Sequence, residues 1–113
     1  MSEDLFLKII AGEIPSDKVY EDDDIYAFRD INPTAPTHIL IVPKKHIRDV
    51  DGIQPEDAEL MGKILIAASK LAKQEGLTSG YRIVINNGPD AQQSVFHIHF
   101  HLIGGRELGW PPG

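Results

Sequence analysis

Apolar and polar residues follow one another along this chain in two periods, and the switches between them mark out its elements. Leu5, Phe6, Ile9 and Ile10 recur at helical spacing. Ser2 is placed to cap that helix, Glu3 and Asp4 suit its positive end, and Gly12 stops it. Pro15-Ser16 breaks the chain. Lys18-Val19-Tyr20 and Ile25-Tyr26-Ala27-Phe28 read as short strands on either side of the acidic turn Glu21-Asp22-Asp23-Asp24. A loop marked by Asn32-Pro33 and Ala35-Pro36 leads into a third strand, Thr37 to Val42, stopped by Pro43.

The longest helical pattern begins at Pro55, a residue suited to the first helical position. Leu60, Met61, Ile64, Leu65, Ala68, Leu71 and Ala72 form one apolar stripe, and Gly76 is the expected residue just past the end. Tyr81 to Ile85 reads as a fourth strand, Asn86-Asn87-Gly88-Pro89 as a turn, and Val95 to Ile103 as a fifth strand. Helix, three strands, helix, two strands, with short links between strands, predicts an α+β fold: a five-stranded antiparallel sheet with two helices. The chain reads as one domain over 1–113, with residues 104–113 as a C-terminal tail.

The fifth strand carries the most informative pattern. His97, His99 and His101 alternate with Ile98, Phe100 and Leu102. A strand sends successive side chains to opposite faces, so the three imidazoles share one face while the apolar residues line the other. Packing gives no reason to spend three of five histidines on one strand. Imidazole titrates near neutral pH and serves as proton donor, acceptor, nucleophile or metal ligand.

Composition narrows the partners. With 42% hydrophobic residues, the chain has enough material for a core. No apolar run approaches the ~18 residues of a membrane span, and the acidic start Met1-Ser2-Glu3-Asp4 lacks the features of a signal peptide. The absence of cysteine removes thiol chemistry and fits a cytoplasmic setting. A net charge of −6 argues against a nucleic-acid binder. The charge is uneven: fifteen acids and nine Lys/Arg precede Gly76, whereas Asp90 and Glu107 balance Arg82 and Arg106 after it. The histidine segment is therefore the part least hostile to an anion.

Zinc and phosphate are the two ligands such histidines suggest. His97 and His101 lie four residues apart on a strand, roughly 13 Å between Cα atoms. Zinc needs its nitrogens at ~2.1 Å in tetrahedral disposition, so the outer pair would have to lean across the middle ring. A phosphate spreads its contacts over several oxygens, so flanking histidines can donate while the central one faces phosphorus. Asn86, Gln93 and Ser94 are nearby polar donors, and Asn87-Gly88-Pro89 permits a tight turn. No cofactor and no metal is expected. His46, within Lys44-Lys45-His46, reads as an ordinary satisfied polar residue.

His97-Ile98-His99-Phe100-His101-Leu102-Ile103 resembles the signature of the histidine triad (HIT) superfamily of nucleotide hydrolases and transferases. The wider context is similar to its Hint branch of purine nucleoside phosphoramidases, in the bacterial type: Lys8-Ile9-Ile10, Glu13-Ile14-Pro15, Ala35-Pro36-Thr37-His38, Gly80-Tyr81-Arg82, Gln93-Ser94-Val95, Gly104-Gly105-Arg106 and Trp110-Pro111-Pro112-Gly113. The resemblance implies a HIT-like fold dimerising into a larger sheet, and hydrolysis of the P–N bond at the α-phosphate of a purine nucleotide substrate. It implies that His99 is the transiently nucleotidylated nucleophile, flanked by His97 and His101, with His38 beneath and Ser94 assisting. Asn86, Gln93 and Ser94 would contact the phosphate or leaving group, and Asp30 the ribose hydroxyls. Leu5, Phe6, Ile9, Phe28 and Ile31 would line the purine pocket. Trp110 would cross to the partner subunit of a homodimer on the leaving-group side.

Two alternatives stand beside this. One is a zinc-binding or protein-interaction module whose histidines do no chemistry. The other is a dinucleotide polyphosphate hydrolase or nucleotidyl transferase of the same superfamily. One departure from the branch pattern bears on the loop: Ala91-Gln92 replaces its usual Gly-Gly. Gln92 is expected in a sterically tolerated conformation, with the loop adjusted to accept it.

Overall fold

In the computed structural model, which describes residues 5–113, one five-stranded antiparallel sheet carries two helices. The elements are α1 (Leu5–Ile10), β1 (Lys18–Glu21), β2 (Ile25–Arg29), β3 (Thr37–Pro43), α2 (Ala58–Gln74), β4 (Tyr81–Val84) and β5 (Phe100–Gly104). The expected roles of Ser2, Glu3 and Asp4 fall outside the described residues. The strand order is β1-β2-β3-β5-β4, with every neighbouring pair antiparallel.

β3 lies at the centre, and all seven of its residues are buried. Its side chains alternate between two apolar layers. Ile39 and Ile41 join Ile25, Ala27, Phe100 and Leu102 under the α2 residues Ile64, Ala68 and Leu71. Leu40 and Val42 join Tyr26, Phe28 and Val95 under the α1 residues Phe6 and Ile9. A period-2 pattern apolar at nearly every position is what a strand covered on both faces requires.

The long helix starts later than the sequence pattern suggests. Pro55–Asp57 form a 3₁₀ turn, and the α-helix begins at Ala58. The Gln54 backbone N–H donates to Asp57 Oδ2 at 2.9 Å, and the Lys45 ammonium reaches the same carboxylate, holding its pKa below the ordinary range. Gly76, at φ +75°, turns the chain out of α2. Within the predicted stripe, Leu65 does not join the core and is 48% exposed. At the same end, Arg29 of β2 donates to both Glu75 oxygens, at 2.8 and 3.0 Å, tying the sheet to the helix terminus.

The fifth strand is shorter than its alternation predicts. Regular pairing covers Phe100–Gly104 only, and residues 95–99 run as irregular backbone. The in–out alternation nevertheless persists through it. Ile98, Phe100 and Leu102 are buried toward α2, while the rings of His97 and His99 both meet Phe6 on the α1 side. Backbone pairing is thus not needed to keep the two faces distinct, because burial of the apolar set fixes the same orientation.

The loop before the histidines corrects one expectation. Gln92 sits at φ +66°, ψ +32°, in the left-handed region, closing the turn Pro89–Ala91. Its tolerated-region reading fails because this turn reverses too tightly for an ordinary backbone conformation there. A non-glycine residue at such a position carries of order 1 kcal/mol of strain or more, partly offset by the entropy that glycine adds to the unfolded chain. Gln92→Gly should therefore stabilise the protein, raising Tm by about 2–4 °C. A thermal melt checks this; an unchanged or lowered Tm would show that the loop absorbs the strain elsewhere.

Candidate active site

The α1-side layer opens into a cleft of about 310 Å³ in which most of the expected site residues meet. Leu5, Phe6, Ile9, Phe28 and Ile31 supply apolar wall, and Asp30, Ser94, His99 and His101 supply polar groups. Ile14, Pro15, Ser16, Arg29, Leu40 and Val95, which no sequence pattern marks as site residues, also line it. Leu40 and Val95 read only as core, and no pattern announces that the segment after α1 folds over the sheet.

His99 is held by its own backbone. Its Nδ1 lies 2.8 Å from the His97 carbonyl oxygen, which can only accept, so Nδ1 carries the proton and Nε2 keeps a free lone pair. Phe6 stands edge-on to the ring at 5.0 Å. Burial lowers the His99 pKa from the ordinary value, outweighing the opposing pull of the His97 carbonyl and Asp30. His99 is thus a buried, neutral imidazole with its Nε2 lone pair unengaged by the backbone.

The tautomer of His101 follows from a chain of partners. The Thr34 backbone N–H donates to His38 Nδ1 at 3.1 Å, so neutral His38 carries its proton on Nε2. That Nε2 lies 2.9 Å from His101 Nδ1 and 3.4 Å from Asp30 Oδ2. His101 Nδ1 therefore accepts, which puts the His101 proton on Nε2. This Nε2 is buried and has no hydrogen-bond partner among the described residues. Burial, then the neighbouring His99 and His38, push the His101 pKa down to about 4. The result is a neutral donor, desolvated and unpaired, beside His99, with ring centroids 5.0 Å apart. A buried donor left unpaired is costly unless a ligand oxygen completes it.

The His97 ring does not line the cleft. That ring is fully buried, and Nε2 donates to the Pro43 carbonyl at 2.7 Å. Its contact with His99 is through the main-chain carbonyl, while its ring packs behind the cleft wall against Phe6 and His46. Gln93 is likewise absent from the cleft wall. Its Oε1 accepts from Gly88 N–H, and its Nε2 donates to the Arg48 and Val95 carbonyls, so it braces the loop. Asn86 follows β4, half-buried and outside the cleft lining. Trp110 is 83% exposed and touches neither the cleft nor the core. His46 Nε2–H donates to the Phe96 carbonyl at 2.9 Å.

A metal would draw on one histidine of the triad and on two groups outside it. Asp30, His38 and His101 each offer one ligand atom, all within 4.8 Å of one another. Two imidazoles and a carboxylate match the ligand types of a zinc site with an open fourth position. The His38–His101 hydrogen bond would first have to open, since both of its nitrogens would turn to the metal.

A family model described as the HIT domain matches residues 11–108. A 14 kDa zinc-binding protein of Zea mays is 55% identical, the alignment covering 99% of this chain and 89% of that protein. Adenylylsulfatase HINT1 of Arabidopsis thaliana is 52% identical, covering 99% of this chain and 78% of that protein. A HIT family hydrolase from Legionella pneumophila superposes with a TM-score of 0.95 at 55% identity, over 96% of this chain and 98% of that one.

The lowered histidine pKa values predict two pH dependences. His97, His99 and His101 all titrate lower when folded than the ordinary 6.5. Between the two values the unfolded chain binds more protons, so stability is complete above pH 6.5 and falls as pH drops toward 4. Melting temperature should decline across that window, and less steeply in His101→Gln. For the same reason, the acid limb of any His99-dependent activity should have its midpoint below pH 6.5. A midpoint at or above 6.5 would contradict a neutral, desolvated His99.

Proposed function

The chain belongs to the HIT domain family, and we propose that it is a hydrolase of purine nucleoside phosphoramidates acting at the α-phosphate. The observation that carries this is the paired state of the two imidazoles. His99 Nδ1 is tied to a carbonyl so that Nε2 is free to attack, and His101 Nε2–H stands beside it without a partner.

In the first step, the His99 Nε2 lone pair forms a bond to the α-phosphorus while the P–N bond to the substrate amine breaks. The amine leaves with the electron pair of that bond and takes up a proton. The His101 Nε2–H and the Ser94 hydroxyl donate to phosphoryl oxygens as charge develops there, in a cleft with largely apolar walls. In the second step, water attacks phosphorus, the bond to His99 breaks, and the nucleoside monophosphate is released. His97 positions His99 through its carbonyl, and His38 fixes the tautomer of His101. Asp30, at the cleft wall, accepts from the ribose hydroxyls, and Phe28, Phe6, Ile9, Leu5 and Ile31 enclose the base.

We further read the working form as a cytoplasmic homodimer. β4 is one of the two edge strands of the sheet, Tyr81 on it is 40% exposed, and Leu65 and Trp110 leave apolar surface uncovered. The substrate side needs no nucleic-acid or membrane partner, and no described helix is long and apolar enough to cross a membrane.

A second reading is supported by one cluster. Asp30, His38 and His101 form a group able to hold a metal ion, and the relative from Zea mays carries the name zinc-binding protein. On that reading the histidines ligate rather than react.

His99→Ala should lower single-turnover rates by several orders of magnitude while binding of a purine monophosphate survives. Intact mass during wild-type turnover should show a nucleotide adduct. More than a tenth of wild-type rate in the variant would remove His99 from the covalent step. Activity should also persist after exhaustive chelation. Stoichiometric zinc in the purified protein, with activity lost on its removal and restored on its return, would favour the metal reading instead.

A further inference from the structure

The C-terminal tail reaches into the hydrogen-bond chain that stands behind His101. Arg106 follows β5 and is exposed. Its Nη2 donates to the Thr34 carbonyl at 2.8 Å, and its Nη1 to the Glu107 carbonyl at 3.0 Å. Gly105 brings it there. That glycine sits at φ +96°, and a Cβ on it would meet Pro36 Cβ at 2.9 Å. Its bare backbone therefore lies directly against the loop between β2 and β3, an approach that only glycine allows.

That loop has few ties of its own. Pro33 and Pro36 carry no N–H. Its base is closed by Asp30 N–H donating to the His38 carbonyl, and Asn32 N–H turns inward to Asp30 Oδ1. Among the described residues, the hydrogen bond that reaches 31–36 from outside residues 30–38 is the one from Arg106. Thr34 is thus held at both ends. Its carbonyl is pinned by the guanidinium, and its N–H donates to His38 Nδ1 at 3.1 Å.

Neutral His38 and His101 have two self-consistent proton arrangements. In the first, Thr34 N–H donates to His38 Nδ1, His38 Nε2–H donates to His101 Nδ1, and His101 offers an Nε2–H. In the second, His38 Nδ1–H points at Thr34 Oγ1, 3.4 Å away, His101 Nδ1–H donates to His38 Nε2, and His101 offers a bare Nε2 lone pair. The second requires the Thr34 N–H to leave His38 Nδ1, because two donors cannot face each other. It also reverses what His101 does to a phosphoryl oxygen, which a donor attracts and a lone pair repels. Asp30 Oδ2, 3.4 Å from His38 Nε2, favours the first arrangement as well. On the reading above, though, Asp30 is drawn on by the ribose hydroxyls, so in the substrate complex the weight rests on the Thr34 amide.

We infer that Arg106 is a positioning residue for the active site: by clamping Thr34 it selects the arrangement in which His101 is a donor. This rests on the reading of His101 as the donor to phosphate. Arg106 touches no reacting atom and acts through Thr34 and His38. His97 and His99 lie outside this chain of bonds, because the carbonyls of Pro43 and of His97 fix their protons. Loss of Arg106 therefore disturbs two imidazoles and spares two.

The test is nitrogen NMR of the ring nitrogens in ligand-free protein carrying isotope-labelled histidine, beside steady-state kinetics on a purine nucleoside phosphoramidate. In wild type, His38 and His101 should both show a protonated Nε2 and a bare Nδ1. In Arg106→Ala the two ring signals of each should move toward one another as the second arrangement fills, while those of His97 and His99 stay in place. The same variant should lose roughly three- to tenfold in kcat, the scale of one uncharged hydrogen bond, with KM changed by less than about twofold. Arg106→Lys, whose ammonium can also donate to the Thr34 carbonyl, should restore most of both. Unmoved His38 and His101 signals in Arg106→Ala, a shift shared by all four histidines, an unchanged kcat or a loss confined to KM would each overturn the inference. A wild-type His101 protonated on Nδ1 would overturn it together with the reading of His101 as the phosphate donor. The expected signals in a protein that turns over no phosphoramidate would support the clamp and remove only the hydrolase.

Discussion

Burial of β3 along its whole length is the constraint from which the rest of the structure follows. A central strand with no exposed residue needs an apolar layer on each face. α2 supplies one layer with Ile64, Ala68 and Leu71. On the other face the described residues of α1 contribute Phe6 and Ile9, beside Tyr26, Phe28 and Val95. The cleft opens on that face, lined by Phe6, Ile9, Phe28 and Leu40 together with His99 and His101. The site therefore lies on the α1 side of a doubly buried strand, where apolar wall and imidazoles meet.

The same burial sets the chemistry of the imidazoles. An imidazolium in an apolar layer is strongly disfavoured, so His97, His99 and His101 are all neutral at physiological pH. Neutral imidazoles have one donor and one acceptor nitrogen, and each partner fixes which is which. A carbonyl fixes His97, a second carbonyl fixes His99, and a backbone amide acting through His38 fixes His101. Three like residues acquire three different roles without any charged partner in direct contact with His97 or His99. Second-layer groups that carry no chemistry of their own decide which nitrogen faces the cleft.

The chain by itself determined what its periodicities determine. The α+β class, the five strands in antiparallel order and the two helices are all legible, because burial of apolar residues at period 2 or 3.6 leaves few other arrangements. The alternation of His97, His99 and His101 with Ile98, Phe100 and Leu102 marked the site, and it holds even where strand pairing does not. Tertiary structure decided what depends on groups distant in sequence. The His97 ring is held away from the cleft because its Nε2–H donates to the carbonyl of Pro43, fifty-four residues away, and only its own carbonyl reaches His99. Gln93 became a loop brace because the Arg48 carbonyl lies within its reach. Gln92 adopted a left-handed conformation because the turn it closes is tight. Ser16 reached the cleft only because the segment after α1 folds back over Tyr26. Side-chain type and spacing fix which face a residue takes, but the proton on a ring nitrogen and the partner of an amide belong to whatever backbone the fold brings near, and no local pattern encodes that.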